Sequence, residues 1–193
     1  TKSVTLLIIV AALGYFVDIY DLLLFGIVRV PSINSLGLNA DEVGTTILNW
    51  QMSGLLIGGI LWGILGDKKG RLSVLFGSIL VYSLANIACG FLPQFPQENI
   101  VTIYAALRFI AGVGLAGELG AGITLVSESL PKNLRAIGTS IVAGFGLLGA
   151  VVAQLTVQMT SEWTTSYFIG GALGLALLFL RISVSESGIY KDI

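Results

Sequence analysis

Four ionisable side chains interrupt segments that are otherwise apolar enough to cross a membrane. Asp18 and Asp21 stand in the run VTLLIIVAALGYFVDIYDLLLFGIV, and Arg108 and Glu118 interrupt a later apolar run. A charge at the centre of a bilayer costs about 2.5–3.5 kcal/mol on insertion scales, so such groups normally face a cavity or a partner charge. These four residues are therefore the first candidates for binding or transferring charge.

The spacing and depth of these charges suggest how they could act together. Helical geometry places Asp18 and Asp21 on one face, about one turn apart. Because two carboxylates at this spacing repel each other, we expect one to keep its proton and the pair to titrate as a unit. At a rise of about 1.5 Å per residue, Asp21 and Arg108 reach a similar depth, with Glu118 on the cytoplasmic side. The sequence permits a static ion pair, a proton-coupling pair, or direct recognition of a charged solute by Arg108 or Glu118.

The composition predicts an all-α membrane protein with several spans. Hydrophobic residues make up 55% of the chain and charged residues 11%, against about 25% charged in a typical soluble domain. The net charge of −1 argues against a nucleic-acid partner. The sequence has no His and a single Cys, Cys89, which argues against a metal site or a disulfide. We therefore expect no cofactor, no metal and no catalytic residue.

Continuous apolar windows predict a single bundle of six transmembrane helices over residues 1–193. The spans run over about 4–28, 45–66, 72–92, 100–126, 136–159 and 167–184. A polar link, RVPSINSLGLNADEVG, follows the first span, and a charged hinge from Asp67 to Arg71 follows the second.

The distribution of Lys and Arg predicts the orientation. If the N-terminus is cytoplasmic, eight basic residues lie inside, namely Lys2, Lys68, Lys69, Arg71, Lys132, Arg135, Arg181 and Lys191. Arg29 then lies outside and Arg108 within the membrane. This asymmetry places both termini in the cytoplasm of a plasma or bacterial inner membrane.

Small residues recur at helical spacing in the second and fourth spans, at Gly54, Gly58, Gly59 and Gly63, and at Gly112, Ala116 and Gly120. Such stripes let helices approach closely. Four polar side chains elsewhere in the spans are weaker candidates for solute contacts, namely Tyr15, Asn49, Gln51 and Gln154.

Several motifs resemble those of the major facilitator superfamily. The stretch GILGDKKGR, from Gly63 to Arg71, resembles the signature G-x-x-x-D-R/K-x-G-R-R/K between helices two and three, with Leu72 in place of the last basic residue. RFIAGVGLAGE from Arg108, followed by ESLPKNLR from Glu128, is similar to the fourth helix and loop of sugar porters and metabolite:proton symporters. The first helix, with two acids three apart, resembles that of the symporter group. RISVSES from Arg181 resembles the ending R-x-x-x-P-E-S, with Ser185 in place of Pro.

The resemblance implies a fold of two inverted three-helix repeats and alternating access around a site at the midplane. Asp18, Asp21, Arg108 and Glu118 then carry proton coupling. Five residues would hold the cytoplasmic side closed, namely Asp67, Arg71, Glu128, Arg135 and Glu186.

Members of this superfamily have twelve spans, and six are expected here. We therefore expect the N-terminal half of a secondary active transporter that moves a small polar organic solute with protons. The alternatives are a proton-independent facilitator and a half-size protein that works as a homodimer. An intramembrane aspartyl protease, suggested by Tyr20-Asp21 and Gly66-Asp67, fits less well, because position 64 is Ile and Asp67 falls at the membrane surface.

Overall fold

The computed structural model describes residues 2–186, without the side chains of 2–4, 7, 71–72, 121–126, 129 and 184–186. In this range six long helices follow one another, namely α1 (Lys2–Ser35), α2 (Ala40–Lys69), α3 (Arg71–Gly90), α4 (Ile100–Ser129), α5 (Arg135–Met159) and α6 (Trp163–Glu186). Two short 3₁₀ turns, Leu92–Gln94 and Gln97–Asn99, join α3 to α4. All six helices contain a segment long and apolar enough to cross a membrane. The prediction of six membrane-spanning helices is confirmed.

The helices extend beyond the predicted spans, because backbone can stay helical after it leaves the apolar layer. The polar link predicted after the first span is partly helical, because α1 continues through Pro31 to Ser35. Ser32 and Ser35 support this last turn by donating their hydroxyls to backbone carbonyls at 3.2 and 3.0 Å. The chain turns at Gly37, whose φ of 76° lies in the left-handed region that glycine tolerates. Asn39 then caps α2 by accepting the Asp41 N–H at 3.0 Å.

The charged hinge between the second and third spans is shorter than predicted. Asp67 to Lys69 are helical, and the N–H of Gly70 still bonds to the carbonyl of Gly66 at 3.0 Å. The reversal is confined to Gly70, with a φ of 90°. Its positive φ explains why a glycine stands between two helices that are otherwise continuous.

The six helices form two inverted three-helix repeats, α1–α3 and α4–α6. The first helix of each repeat packs against the second helix of the other, so α1 contacts α5 and α4 contacts α2. Matching glycines mark both contacts, because Gly54 faces the carbonyl oxygen of Phe109 and Gly149 faces that of Phe16. α3 packs against α4 and α6. α1 and α4 therefore lie side by side at the centre of the bundle.

Only part of the predicted small-residue stripes forms helix contacts. Gly54, Gly58 and Gly112 lie against the backbone of the facing helix in the α2–α4 contact. No atom of the described residues lies within 4 Å of the positions that a Cβ would take at Gly59 and Gly63. Sequence spacing alone does not say which of two adjacent glycines faces a partner.

The two ends of the bundle differ in the chain termini and connections that they hold. The terminal end holds the start of α1, Gly70, residues 130–134 and the end of α6. The opposite end holds the other three connections, where Gln97 donates to the Leu36 carbonyl at 2.6 Å and Trp163 donates to the Ser35 hydroxyl at 2.6 Å.

Apolar side chains cover the outside of the bundle, while charged groups lie within it. Leu56, Leu147 and Phe179 are 70%, 64% and 74% exposed, whereas Arg108 is fully buried and Asp21 is 1% exposed. This distribution is the reverse of that in a soluble protein, and it is the one expected of a bundle surrounded by lipid.

Candidate functional site

Helices α1 and α4 bring the four predicted charges together in two groups. α1 and α4 run in opposite directions. Along the bundle axis Asp21 therefore lies nearer to Arg108, and Asp18 lies nearer to Glu118. Arg108 and Glu118 are ten residues apart on α4, a rise of about 15 Å. The charges therefore form two clusters along the bundle axis, with the Arg108 cluster nearer the opposite end.

The Arg108 cluster consists of Asp21, Gln51, Asn86 and Arg108. Arg108 donates through Nε and Nη2 to Gln51 Oε1 at 3.1 and 3.0 Å, and through Nη1 to Asn86 Oδ1 at 2.9 Å. The Asn86 amide nitrogen in turn donates to Asp21 Oδ1. Asp21 and Arg108 are thus linked through Asn86, whereas their similar depth suggested a direct ion pair.

Aromatic residues hold Arg108 in this position. Its guanidinium carbon lies 5.7 Å from the ring centre of Phe25 and 5.5 Å from that of Tyr167, distances at which a cation is attracted by a ring. Tyr167 continues into a chain of hydroxyls, 2.6 Å from the Tyr104 hydroxyl, which lies 3.0 Å from that of Ser32. The guanidinium is therefore fixed by α2, α3 and the aromatic side chains around it.

The Glu118 cluster consists of Asp18, Glu118 and Arg181, from α1, α4 and α6. Arg181 Nη1 lies 2.7 Å from Glu118 Oε1. All three residues are at least 97% buried. A small cavity beside them has about 10 Å³ open to the centre of a water molecule and is also lined by Tyr15 and Val142. This volume holds about one water.

Gly14 makes room for the ion pair on the α1 side. A Cβ at Gly14 would overlap Arg181 Nη2 and lie 3.0 Å from Glu118 Oε1. Because Arg181 is buried and paired with Glu118, its guanidinium cannot move away without weakening that pair. We therefore expect Gly14→Ala to lower the stability of the protein by about 1–3 kcal/mol, as overpacking does. Thermal unfolding of the purified protein measures this effect.

Gly26, on the same helix, is the control for this substitution. In the part of the chain that the structure describes, no atom lies within 4 Å of a Cβ built at Gly26. Because alanine favours a helix over glycine by up to about 1 kcal/mol, Gly26→Ala should unfold at or slightly above the wild-type temperature. Equal unfolding temperatures for both variants would contradict the packing described for Gly14.

Two of the four predicted solute contacts lie at these clusters. Gln51 is 1% exposed and bonds Arg108. Tyr15 lines the small cavity at the Glu118 cluster. Asn49 and Gln154 are exposed on α2 and α5, outside both clusters.

The residues expected at the cytoplasmic gate lie around the terminal end. Asp67, Glu128 and Arg135 are exposed, and Arg135 Nε donates to the Leu130 carbonyl at 3.0 Å. The side chains of Arg71 and Glu186 lie outside the described residues. Since Asp67 is exposed near the end of α2 while Asp21 is buried, these two acids do not form a paired aspartyl protease site.

Sequence reasoning missed two members of the clusters. Asn86 was not singled out, because a single amide in an apolar helix is equally typical of a side chain that only forms a hydrogen bond between helices. Arg181 was placed with the cytoplasmic basic residues, yet it is 3% exposed and paired with Glu118. In the structure Glu118 follows Ile100 by 18 residues and Arg181 follows Trp163 by 18 residues in two parallel helices, which brings both side chains to one level.

Comparison with known proteins agrees with this architecture. The sequence profile of the Major Facilitator Superfamily matches residues 8–190. The chain is 31% identical over 181 residues to the niacin transporter NiaP of Acinetobacter baylyi, covering 92% of this chain and 40% of NiaP. It is 32% identical over 181 residues to the sialic acid transporter NanX of Escherichia coli, covering 92% of this chain and 43% of NanX. The chain thus spans less than half the length of these relatives.

Solved structures show the same fold. The proton:xylose symporter XylE bound to 6-bromo-6-deoxy-D-glucose superimposes with a TM-score of 0.77 at 18% identity, over 94% of this chain and 45% of that chain. The inward open conformation of XylE from E. coli gives a TM-score of 0.74 at 18% identity, over 93% and 48%. The match of the family profile over nearly the whole chain, together with this fold, shows that the chain belongs to the Major Facilitator Superfamily.

Proposed function

We propose that this chain is the N-terminal six-helix half of a secondary active transporter, which moves a small polar organic solute together with protons by alternating access. Relatives named as niacin and sialic acid transporters support the solute class. The second half of the solute path is supplied by six further helices, and both termini lie in the cytoplasm of a bacterial inner membrane.

The observation that carries this proposal is the buried Arg108 cluster. Among the described side chains, Asp21 Oδ2 and Gln51 Nε2 are buried there and have no hydrogen-bond partner. A buried polar atom without a partner costs about 1–3 kcal/mol, so both atoms favour a ligand with a donor and an acceptor. A small solute with hydroxyl, carboxyl or amide groups meets this requirement.

Within this proposal the residues divide into three roles. Asp18, Asp21, Arg108 and Glu118 couple solute movement to protons, and Gln51 and Tyr15 contact the solute. Asn49 and Gln154, on exposed faces of α2 and α5, become solute contacts only if the second half closes over them. Asp67, Arg71, Glu128, Arg135 and Glu186 close the cytoplasmic side.

Uptake into vesicles containing the full-length transporter tests the proposal. Labelled niacin, sialic acid, sugars and amino-acid derivatives serve as probes, with an imposed pH gradient that is alkaline inside. A gradient of one pH unit supports at most about tenfold accumulation for each proton carried. We expect accumulation above the outside concentration, and its loss when a protonophore dissipates the gradient.

Two results would contradict parts of this proposal. Counterflow that proceeds equally with and without a gradient, with no accumulation, would identify a facilitator. Transport by vesicles that contain only this six-helix chain would show that another copy of the chain takes the place of the second half.

A further inference from the structure

The two buried clusters differ in their charge balance. The Arg108 cluster contains one carboxylate, Asp21, and one guanidinium, so its formal charge is zero. The Glu118 cluster contains two carboxylates, Asp18 and Glu118, and one guanidinium, Arg181. When all groups are ionised, this second cluster therefore carries one surplus negative charge.

No basic side chain other than Arg181 faces this surplus charge in the part of the chain that the structure describes. Tyr15 lines the cavity from α1 and Val142 lines it from α5. From α3, Tyr82 packs in one apolar cluster with Val17 of α1 and Leu177 of α6, and its buried hydroxyl has no hydrogen-bond partner among the described residues. Asp21, one turn along α1, adds a further negative charge, which Arg108 balances.

The geometry also indicates what neutralises the cluster. Asp18 is 2% exposed, and its Oδ1 has no partner among the described residues. The adjoining cavity has room for about one water molecule. Taking an unbalanced charge out of water costs several kcal/mol, and the space does not admit a hydrated cation. A proton on Asp18 removes the charge and supplies a donor without any added volume.

We infer that the Glu118 cluster carries the transported proton, which Asp18 and Glu118 share, while the Arg108 cluster stays ionised and contacts the solute. This inference rests on the proposed function and assigns its proton-coupling role to one of the two clusters. In the unloaded state both carboxylates compete for Arg181. When Asp18 is protonated, Glu118 is the only carboxylate of the cluster that still attracts Arg181. Binding of the proton therefore changes the contacts between α1, α4 and α6.

Infrared difference spectra between acidic and alkaline buffer test the inference on the purified full-length protein. The carbonyl stretch of protonated carboxyl groups counts the acids that titrate, and subtraction of a variant from wild type cancels the shared surface acids. Because Asn and Gln mimic neutral Asp and Glu, we expect both Asp18→Asn and Glu118→Gln to lose a signal equal to one buried acid. Asp21→Asn should retain that signal.

Removing the guanidinium of Arg181 provides a second infrared test. A purely structural role of the cluster would not produce the expected change in the signal. Arg181→Gln leaves two uncompensated carboxylates, so we expect the buried signal to double. Asp18→Asn combined with Arg181→Gln returns the cluster to one negative charge, so the signal should return to the wild-type size.

The alternative results each overturn the inference. They are a wild-type spectrum without a titrating buried acid, a signal unchanged in Asp18→Asn, and a signal lost in Asp21→Asn. A signal that disappears when choline is replaced by Na⁺ would identify a cation site instead of a proton site. Because infrared titration requires no transport, its failure leaves gradient-driven uptake standing, and a failure of uptake leaves the titration result standing.

Discussion

Replacing Arg108 by Met should abolish uptake and lower the stability of the full-length transporter by about 3–5 kcal/mol. Methionine has a similar length but provides no donor, so Asn86 Oδ1 and Gln51 Oε1 lose the three hydrogen bonds that Arg108 gives them. Asp21 is then left as a buried charge with no cation beside it, and breaking a buried pair from one side costs about this much. Thermal unfolding and vesicle uptake measure the two effects.

A second substitution separates the charge effect from the packing effect. In Asp21→Asn combined with Arg108→Met, no unbalanced charge remains in the cluster, so most of the lost stability should return. Uptake should not return, because Arg108 no longer holds Gln51 in place and the Asp21 carboxylate that would accept from the solute is also missing. A double variant as unstable as Arg108→Met would show that the guanidinium acts through packing on Phe25 and Tyr167 rather than through its charge.

Arg108→Lys and Arg29→Met complete the comparison. Lysine keeps the charge but not the planar fork that reaches two acceptors on two helices, so we expect partial stability and strongly reduced uptake. Arg29, half-buried near the end of α1, donates to the Thr45 hydroxyl at 3.4 Å. Its replacement by Met keeps a side chain of similar length and removes no cation from either cluster, so we expect the stability to fall by no more than about 1 kcal/mol.

The number of spans and the importance of α1 and α4 could be predicted because both depend on composition and on one-dimensional spacing. Long apolar windows reveal membrane helices, since lipid requires every backbone group to bond within its own segment. Charges in those windows stand out against their surroundings. Contact between a charge and lipid is costly, so charges are rare in such windows and are buried inside the bundle where they occur. This holds for Asp18, Asp21, Arg108 and Glu118.

The partners of these charges could not be predicted in the same way. The predicted start of the sixth span was Tyr167, whereas α6 begins at Trp163. This difference of four residues, about 6 Å along a helix, hid the common level of Glu118 and Arg181. Hydropathy locates the lipid boundary and not the helix end, so it cannot set this register. Asn86 depends on which face of α3 turns inward, which is decided by packing against α4 and α6.

Two adjacent glycines on α2, Gly58 and Gly59, should respond in opposite ways to replacement by alanine. A Cβ at Gly58 would lie 2.7 Å from the Cα of Val113, whereas a Cβ at Gly59 would have no described atom within 4 Å. Because backbone cannot rotate away as a side chain can, Gly58→Ala must push α2 from α4. We expect a loss of about 1–3 kcal/mol in thermal unfolding, while Gly59→Ala gains up to about 1 kcal/mol from helix propensity.

The packing of α2 against α4 at Gly58 also affects the Arg108 cluster. The α2–α4 contact carries the hydrogen bonds from Arg108 to Gln51, at 3.0 and 3.1 Å, and that from Trp62 to the Val113 carbonyl, at 2.6 Å. Separating the helices by a few tenths of an ångström lengthens these bonds, so Gly58→Ala should reduce solute affinity as well as stability. In membranes close packing and interhelical hydrogen bonds replace the hydrophobic effect as the force between helices. If Gly58→Ala and Gly59→Ala retained equal stability and affinity, α2 and α4 would not cross at Gly58, and Gln51 could not position Arg108.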